Sequence, residues 1–85
     1  MDRIEVKEKL VKIIEKQGLS DKIDLADEID YVKDLKADSL DSVEIVMEIE
    51  DEFNITISDL DAKRLETIGL TVNYIIKKFE DKEIA

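Results

Sequence analysis

KADSLDSVEIVMEIEDEF, residues 36–53, decides how this chain folds. From Ser39 to Phe53 its apolar residues recur at helical spacing. At about 100° per residue, Ile45, Val46, Ile49 and Phe53 fall on one stripe, the face a helix turns to a core. Leu40, Val43 and Met47 fall on a second stripe, on a different side, bordered by Asp41, Glu44, Glu48, Asp51 and Glu52. A helix of a small bundle needs only one wide apolar face. Either neighbouring elements cover the second stripe, or it is an exposed docking patch with an acidic rim. Most apolar helix residues are core, which favours the covered reading. At the start of the run stands Ser39, between Asp38 and Asp41. Serine is among the best helix N-caps, and flanking aspartates suit the positive end of a helix, so by residue type alone Ser39 reads as a cap.

Composition sets the frame for this helix. Eighty-five residues make one domain, 1–85, near the lower limit for folding on a single core. No proline, two glycines and abundant Leu, Ile, Glu and Lys favour helices over sheet. The longest apolar runs are far too short to span a membrane, and the N-terminal MDRIEVKEKL has no uninterrupted apolar segment of the signal-peptide kind. Absence of cysteine excludes a disulfide framework and fits a cytoplasmic home. The formal charge of −10 disfavours nucleic acid and anionic lipid and favours basic partners.

Outward from the central run, residues 2–17 place Val6, Leu10, Ile13 and Ile14 on one helical stripe, and Gly18 stands where a helix ends in a left-handed residue. Residues 19–38 lack a long period. They read as an ordered loop pinned by Leu19, Ile23, Leu25, Ile29, Tyr31, Val32 and Leu35 and packed across helix ends. After the central helix, Ser58 with Asp61 three residues on resembles a capping box for a short helix. Thr67 caps a last helix carrying Ile68, Val72, Ile75, Ile76 and Phe79 on one stripe, with Gly69 a mild weak point. Lys77 and Lys78 fall near its end, where cations suit the dipole. The expected fold is all-α: a small four-helix bundle of three main helices and one short one, with a long first loop.

Chemistry within the chain is sparse. Ser39 lacks the G-x-S-x-G elbow of a hydrolase nucleophile, and the chain has no histidine to serve as its base. A calcium loop begun at Asp34 would put Lys36 at its third position, Ser39 where glycine belongs and Ile45 where a bidentate glutamate belongs. The acidic clusters are more simply solvated faces, and no metal or catalytic residue is assigned.

The longer string DLKADSLDSVEIVMEIEDEF, residues 34–53, resembles the signature of the acyl carrier protein family, typically D-L-G-A-D-S-L-D followed by a mixed apolar and acidic helix ending E-E-F. Asp34, Leu35, Ala37, Asp38, Ser39, Leu40 and Asp41 stand at the matching places, and Val43, Glu44, Val46, Met47, Glu50, Glu52 and Phe53 continue the match. Segments LVKII, YVKDL and TIGLTVNYI fall in family order, so the resemblance spans essentially the whole chain. Two departures stand out: Lys36 in place of the usual glycine and Ser58 in place of a common proline. The resemblance implies a freestanding, type II-like carrier in fatty-acid or related lipid synthesis. It implies Ser39 as the attachment site of a 4'-phosphopantetheine arm taken from coenzyme A by a separate phosphopantetheinyl transferase, with acyl groups riding on the arm as thioesters. Such a protein is no enzyme but a cytoplasmic, monomeric substrate of fatty-acid synthesis or acyltransferase partners. Their basic patches would dock on Asp38, Leu40, Asp41, Val43, Glu44, Met47 and Glu48. A carried chain would insert between the second helix and the following segment, among Ile45, Val46, Ile49, Ile57, Ala62 and Leu65. The alternatives are a carrier of polyketide or aminoacyl units, and, in a different class, an unmodified acidic adaptor in which Ser39 is only a cap.

Overall fold

A computed structural model describes the backbone of residues 2–20 and 26–84 and the side chains through residue 81. Among the described residues there are four helices: α1 (Arg3–Lys16), α2 (Ser39–Phe53), α3 (Asp59–Ala62) and α4 (Ile68–Ile84). The all-α bundle of three main helices and one short one is therefore as expected. α1 packs on both α2 and α4. Val6, Leu10, Ile13 and Ile14 are buried as their spacing requires, joined by Val11. Against them lie Ile45, Ile49 and Phe53 of α2 and Ile68, Val72 and Ile75 of α4, with Val46, Ile76 and Phe79 half-buried at the margin. Phe53 and Phe79 meet edge to face, with centroids 6.1 Å apart.

Local chemistry sets most boundaries. Asp2 caps α1 by accepting from the Glu5 amide at 2.8 Å. Gly18, at φ 75°, ends it: the Leu19 amide returns to the Ile14 carbonyl and the Gly18 amide to that of Glu15, the paired bonds of a Schellman motif. Asn54 takes the left-handed conformation after α2, and the Ile55 amide returns to the Glu50 carbonyl. Thr67 caps α4 through its Oγ1, which accepts from the Leu70 amide. Ser58 caps α3 by accepting from the Asp61 amide. The reciprocal bond of a capping box is absent there, because the Asp61 carboxylate accepts instead from the Tyr74 hydroxyl at 2.8 Å. Burial and this acceptor push the Tyr74 hydroxyl up to about 12. Lys77 and Lys78 do not end α4, which continues to Ile84.

The described part of the long loop, residues 26–38, is ordered by pairing with the start of α4. The Tyr31 amide donates to the Glu66 carbonyl, Ile68 to Ile29, and Gly69 to Asp27, at 2.9–3.1 Å. Asp27 also accepts from Lys7 and Arg3, which hold its carboxyl below the usual carboxylate range. Arg3 reaches Asn73 of α4 as well. Leu19, Ile29, Tyr31 and Leu35 contact the core as expected. Val32 does not: it is exposed, because Tyr31 takes the inward position in the turn. Ile23 and Leu25 lie outside the described residues. Asp30 organises that turn, its Oδ1 accepting from the Val32 and Lys33 amides. These donors lower its pKa. The turn closes at Lys36, which stands in the left-handed region at φ 60°.

Two substitutions test this frame. A Cβ at Gly69 would sit 2.9 Å from Asp27 Cβ and 3.2 Å from the Asp27 carbonyl oxygen, so Gly69 is a close-approach site rather than a weak point. Gly69→Ala is expected to destabilise by roughly 1–3 kcal/mol, as overpacking does. Lys36→Gly relieves a left-handed residue and is expected to stabilise by about 0.5–1 kcal/mol after the entropy of the unfolded glycine is counted. Urea melts of both variants check the two signs.

Candidate functional site

The start of α2 is built from Asp38, which caps the helix, and not from Ser39. Asp38 Oδ1 accepts from the Asp41 amide at 2.8 Å, and Asp41 Oδ2 accepts from the Asp38 amide at 3.1 Å. This is a complete capping box. Ser39 is one residue inside the helix. The reading of Ser39 as the cap is therefore wrong, and the physical reason is spacing: the acceptor three residues before Asp41 is Asp38. Ser39 is exposed, and its hydroxyl has no hydrogen-bond partner among the described residues. By position, the amides of Ser39 and Leu40 also lack intrahelical acceptors.

The second stripe is uncovered. Leu40, Val43 and Met47 are 64%, 56% and 57% exposed, so the reading in which neighbouring elements bury them fails. Nothing from residues 26–38 of the loop covers them, because that stretch is paired with the start of α4. The acidic rim is present and partly engaged. Gln17 Nε2 donates to Glu44 Oε2 at 2.6 Å, and Lys16 Nζ lies 3.4 Å from Glu48 Oε1. The C-terminal end of α1 thus braces the rim.

On the other side of the stripe lies a half-open groove of about 880 Å³ between α2, α3 and the loop. Ser39, Val43, Val46 and Glu50 follow one another along its α2 wall at helical spacing. Ile45, Val46, Ile49, Ile57, Ala62 and Leu65, the residues expected to surround a carried chain, all line it. Its floor is packed, with Ile49 1% and Ile57 6% exposed. α3 forms the wall facing α2. It is a single turn with no buried side chain, held by the Ser58 cap and the Tyr74 to Asp61 bond. Glu50 steadies the connection by accepting from the Ile57 amide at 2.9 Å. Tyr31 and Thr71, which the sequence reading did not assign to the groove, also line it.

A family profile described as "Phosphopantetheine attachment site" matches residues 8–75. Acyl carrier proteins of Cyanidium caldarium and Chlorobium phaeobacteroides are 44% and 40% identical to this chain. Each match spans 92% of the chain and 91% or 100% of the relative. This chain belongs to the acyl carrier protein family. Among solved structures, an acyl carrier protein from Enterococcus faecalis is 40% identical and superposes with a TM-score of 0.79 over 92% of this chain and 99% of that one. The protein is accordingly a carrier of acyl groups, with 4'-phosphopantetheine as its prosthetic group. Among the described residues no helix is long and apolar enough to cross a membrane, and no acidic cluster has the arrangement of a metal site.

Because the cap is Asp38, the two neighbouring substitutions separate cleanly. Asp38→Ala is expected to cost about 1 kcal/mol, as cap losses do. Ser39→Ala, on an exposed first-turn position, is expected to stay within about 0.5 kcal/mol of the parent. Thermal melts of both variants measure the difference.

Proposed function

We propose that Ser39 takes the phosphopantetheine arm, and that this carrier serves fatty-acid or related lipid synthesis in the cytoplasm as a monomer. The observation that carries the first part is the exposed, unengaged Ser39 hydroxyl one residue after the Asp38 cap. The site suits a phosphodiester. The Ser39 and Leu40 amides and the helix dipole face it, and repulsion from Asp38 and Asp41 is screened at an exposed position. When bound, the arm supplies the thiol that carries acyl groups as thioesters. The chain's own part is to present the oxygen, to guide partners and to shelter cargo. With no histidine in the chain, the base that activates Ser39 comes from the transferase.

An apolar groove opening beside Ser39 supports hydrocarbon cargo, each buried methylene being worth about 0.8 kcal/mol. A polyketide or aminoacyl cargo would give up part of that gain. The exposed Leu40, Val43 and Met47 patch beside acidic Asp41, Glu44 and Glu48 supports docking of basic partner enzymes, with fast encounter and quick release. Incubation with a phosphopantetheinyl transferase and coenzyme A should add one phosphopantetheine by intact mass, and none to Ser39→Ala. Modification at Ser20, Ser42 or Ser58, or none at all, counts against this reading.

The bracing of the rim by α1 has a kinetic consequence. Lys16 and Gln17 occupy carboxylates that a basic partner would use, so a partner must displace them. Lys16→Ala is expected to raise the association rate with the transferase by up to a few-fold at low salt, with the gain vanishing as salt rises. Met47→Ala and Val43→Ala should slow turnover and leave melting nearly unchanged, whereas Ile49→Ala should cost roughly 2–5 kcal/mol of stability. Stopped-flow association at two ionic strengths, with parallel melts, separates these effects.

A further inference from the structure

The groove's inner wall holds one polar feature for which the carrier role as described has no use. Tyr31 and Thr71 line it, and the Tyr31 hydroxyl donates to Thr71 Oγ1 at 2.7 Å. The Thr71 hydroxyl in turn donates to the Thr67 carbonyl at 2.9 Å. Thr71 is 0% and Tyr31 7% exposed, so water does not serve this pair. An alanine at 71 and a phenylalanine at 31 would close the same wall with hydrocarbon. The bond inventory is directional. Both protons are committed, one to Thr71 and one to Thr67, and no donor among the described residues is aimed at the Tyr31 oxygen. That oxygen has accepting capacity to spare. Burial also holds the phenol protonated far above its ordinary range, so it stays a neutral hydroxyl at working pH.

Resting on the reading that a carried chain enters this groove, we infer that Tyr31 is a specificity-determining residue, whose hydroxyl oxygen accepts a hydrogen bond from a hydroxyl group borne on the acyl chain. A hydroxyl is the group that fits, because it gains a bond while both existing bonds remain. A ketone can only accept, and would have to take the Tyr31 proton away from Thr71. A plain hydrocarbon gains nothing from the pair. In a groove walled by hydrocarbon alone, a buried hydroxyl without a partner is penalised wherever it lies along the chain. Tyr31 removes that penalty at the one depth where the oxygens meet.

The test uses the full-length protein carrying acyl chains of equal length on its arm, either saturated or with a single hydroxyl at successive carbons, and reads the melting temperature. The saturated form should melt above the unacylated form. Hydroxylated forms should melt lower than the saturated one, except at one position, or two adjacent ones, where the loss is recovered by on the order of 4 °C or more. In Tyr31→Phe the recovery at that position should vanish, whatever Glu50 and the other polar groups of the lining do for hydroxyls at other carbons. Thr71→Ser, which keeps the hydroxyl that holds Tyr31, should retain it. A wild-type profile flat along the chain overturns the inference, as does a recovery that survives in Tyr31→Phe. If the saturated chain itself raises melting at no length, cargo does not enter the groove, and the assignment of Tyr31 falls with that reading. Should Tyr31→Phe not fold, the wild-type position scan and Thr71→Ser decide alone.

Discussion

The short antiparallel pairing between residues 27–31 and 66–69 is the constraint on which the rest depends. Its three backbone bonds tie a loop with few apolar anchors to the first turn of α4. A loop of that length would otherwise carry a large entropy cost and hold nothing in place. Once tied, it turns Tyr31 inward against Thr71 and leaves Val32 in solvent. It also brings Lys36 to the point where the chain reverses into α2. Gly69 is what lets the two backbones approach. The position of Ser39, and the form of the groove beside it, are downstream of this contact.

At the start of α2 the roles are divided between neighbours. Asp38 and Asp41 satisfy the helix end between themselves, and that leaves the Ser39 oxygen uncommitted. Were Ser39 the cap, its oxygen would be accepting from a backbone amide, and the proposed modification there would compete with helix stability. A similar division runs along α2. One face is core, the next lines the groove, and beyond the groove wall runs the strip of Leu40, Val43 and Met47, left exposed.

Much of this was legible in the sequence. Helical spacing identified the buried residues of α1, α2 and α4 because an apolar stripe leaves a 3.6-residue imprint whatever it packs against. Ile45, Val46 and Ile49 on the groove wall followed from the same wheel, whereas Ile57, Ala62 and Leu65 came with the family resemblance. The cap was not legible, because serine and aspartate share the preference for that position. Only counting back three residues from Asp41 separates them. Exposure of the second stripe was also invisible, since periodicity says which residues share a side and not whether anything covers it. The Tyr31–Thr71 bond joins residues forty positions apart in a loop and a helix, and no local pattern announces it. Lys36 gave the one readable hint of backbone strain, by standing where the family usually has glycine.

α3 places the opening of the groove on a separate energy scale from the fold. With no side chain buried and four residues in all, it contributes little to the core that α1, α2 and α4 share. Its departure is a local opening, not a global one, and belongs to the low end of the range of opening free energies found within one protein. Amide exchange on α3 should therefore be far faster than on the buried face of α1, and insensitive to changes that stabilise the bundle. On the proposed binding of cargo in the groove, cargo residence and molecular durability are independently adjustable: this scaffold can be hardened against heat without slowing release.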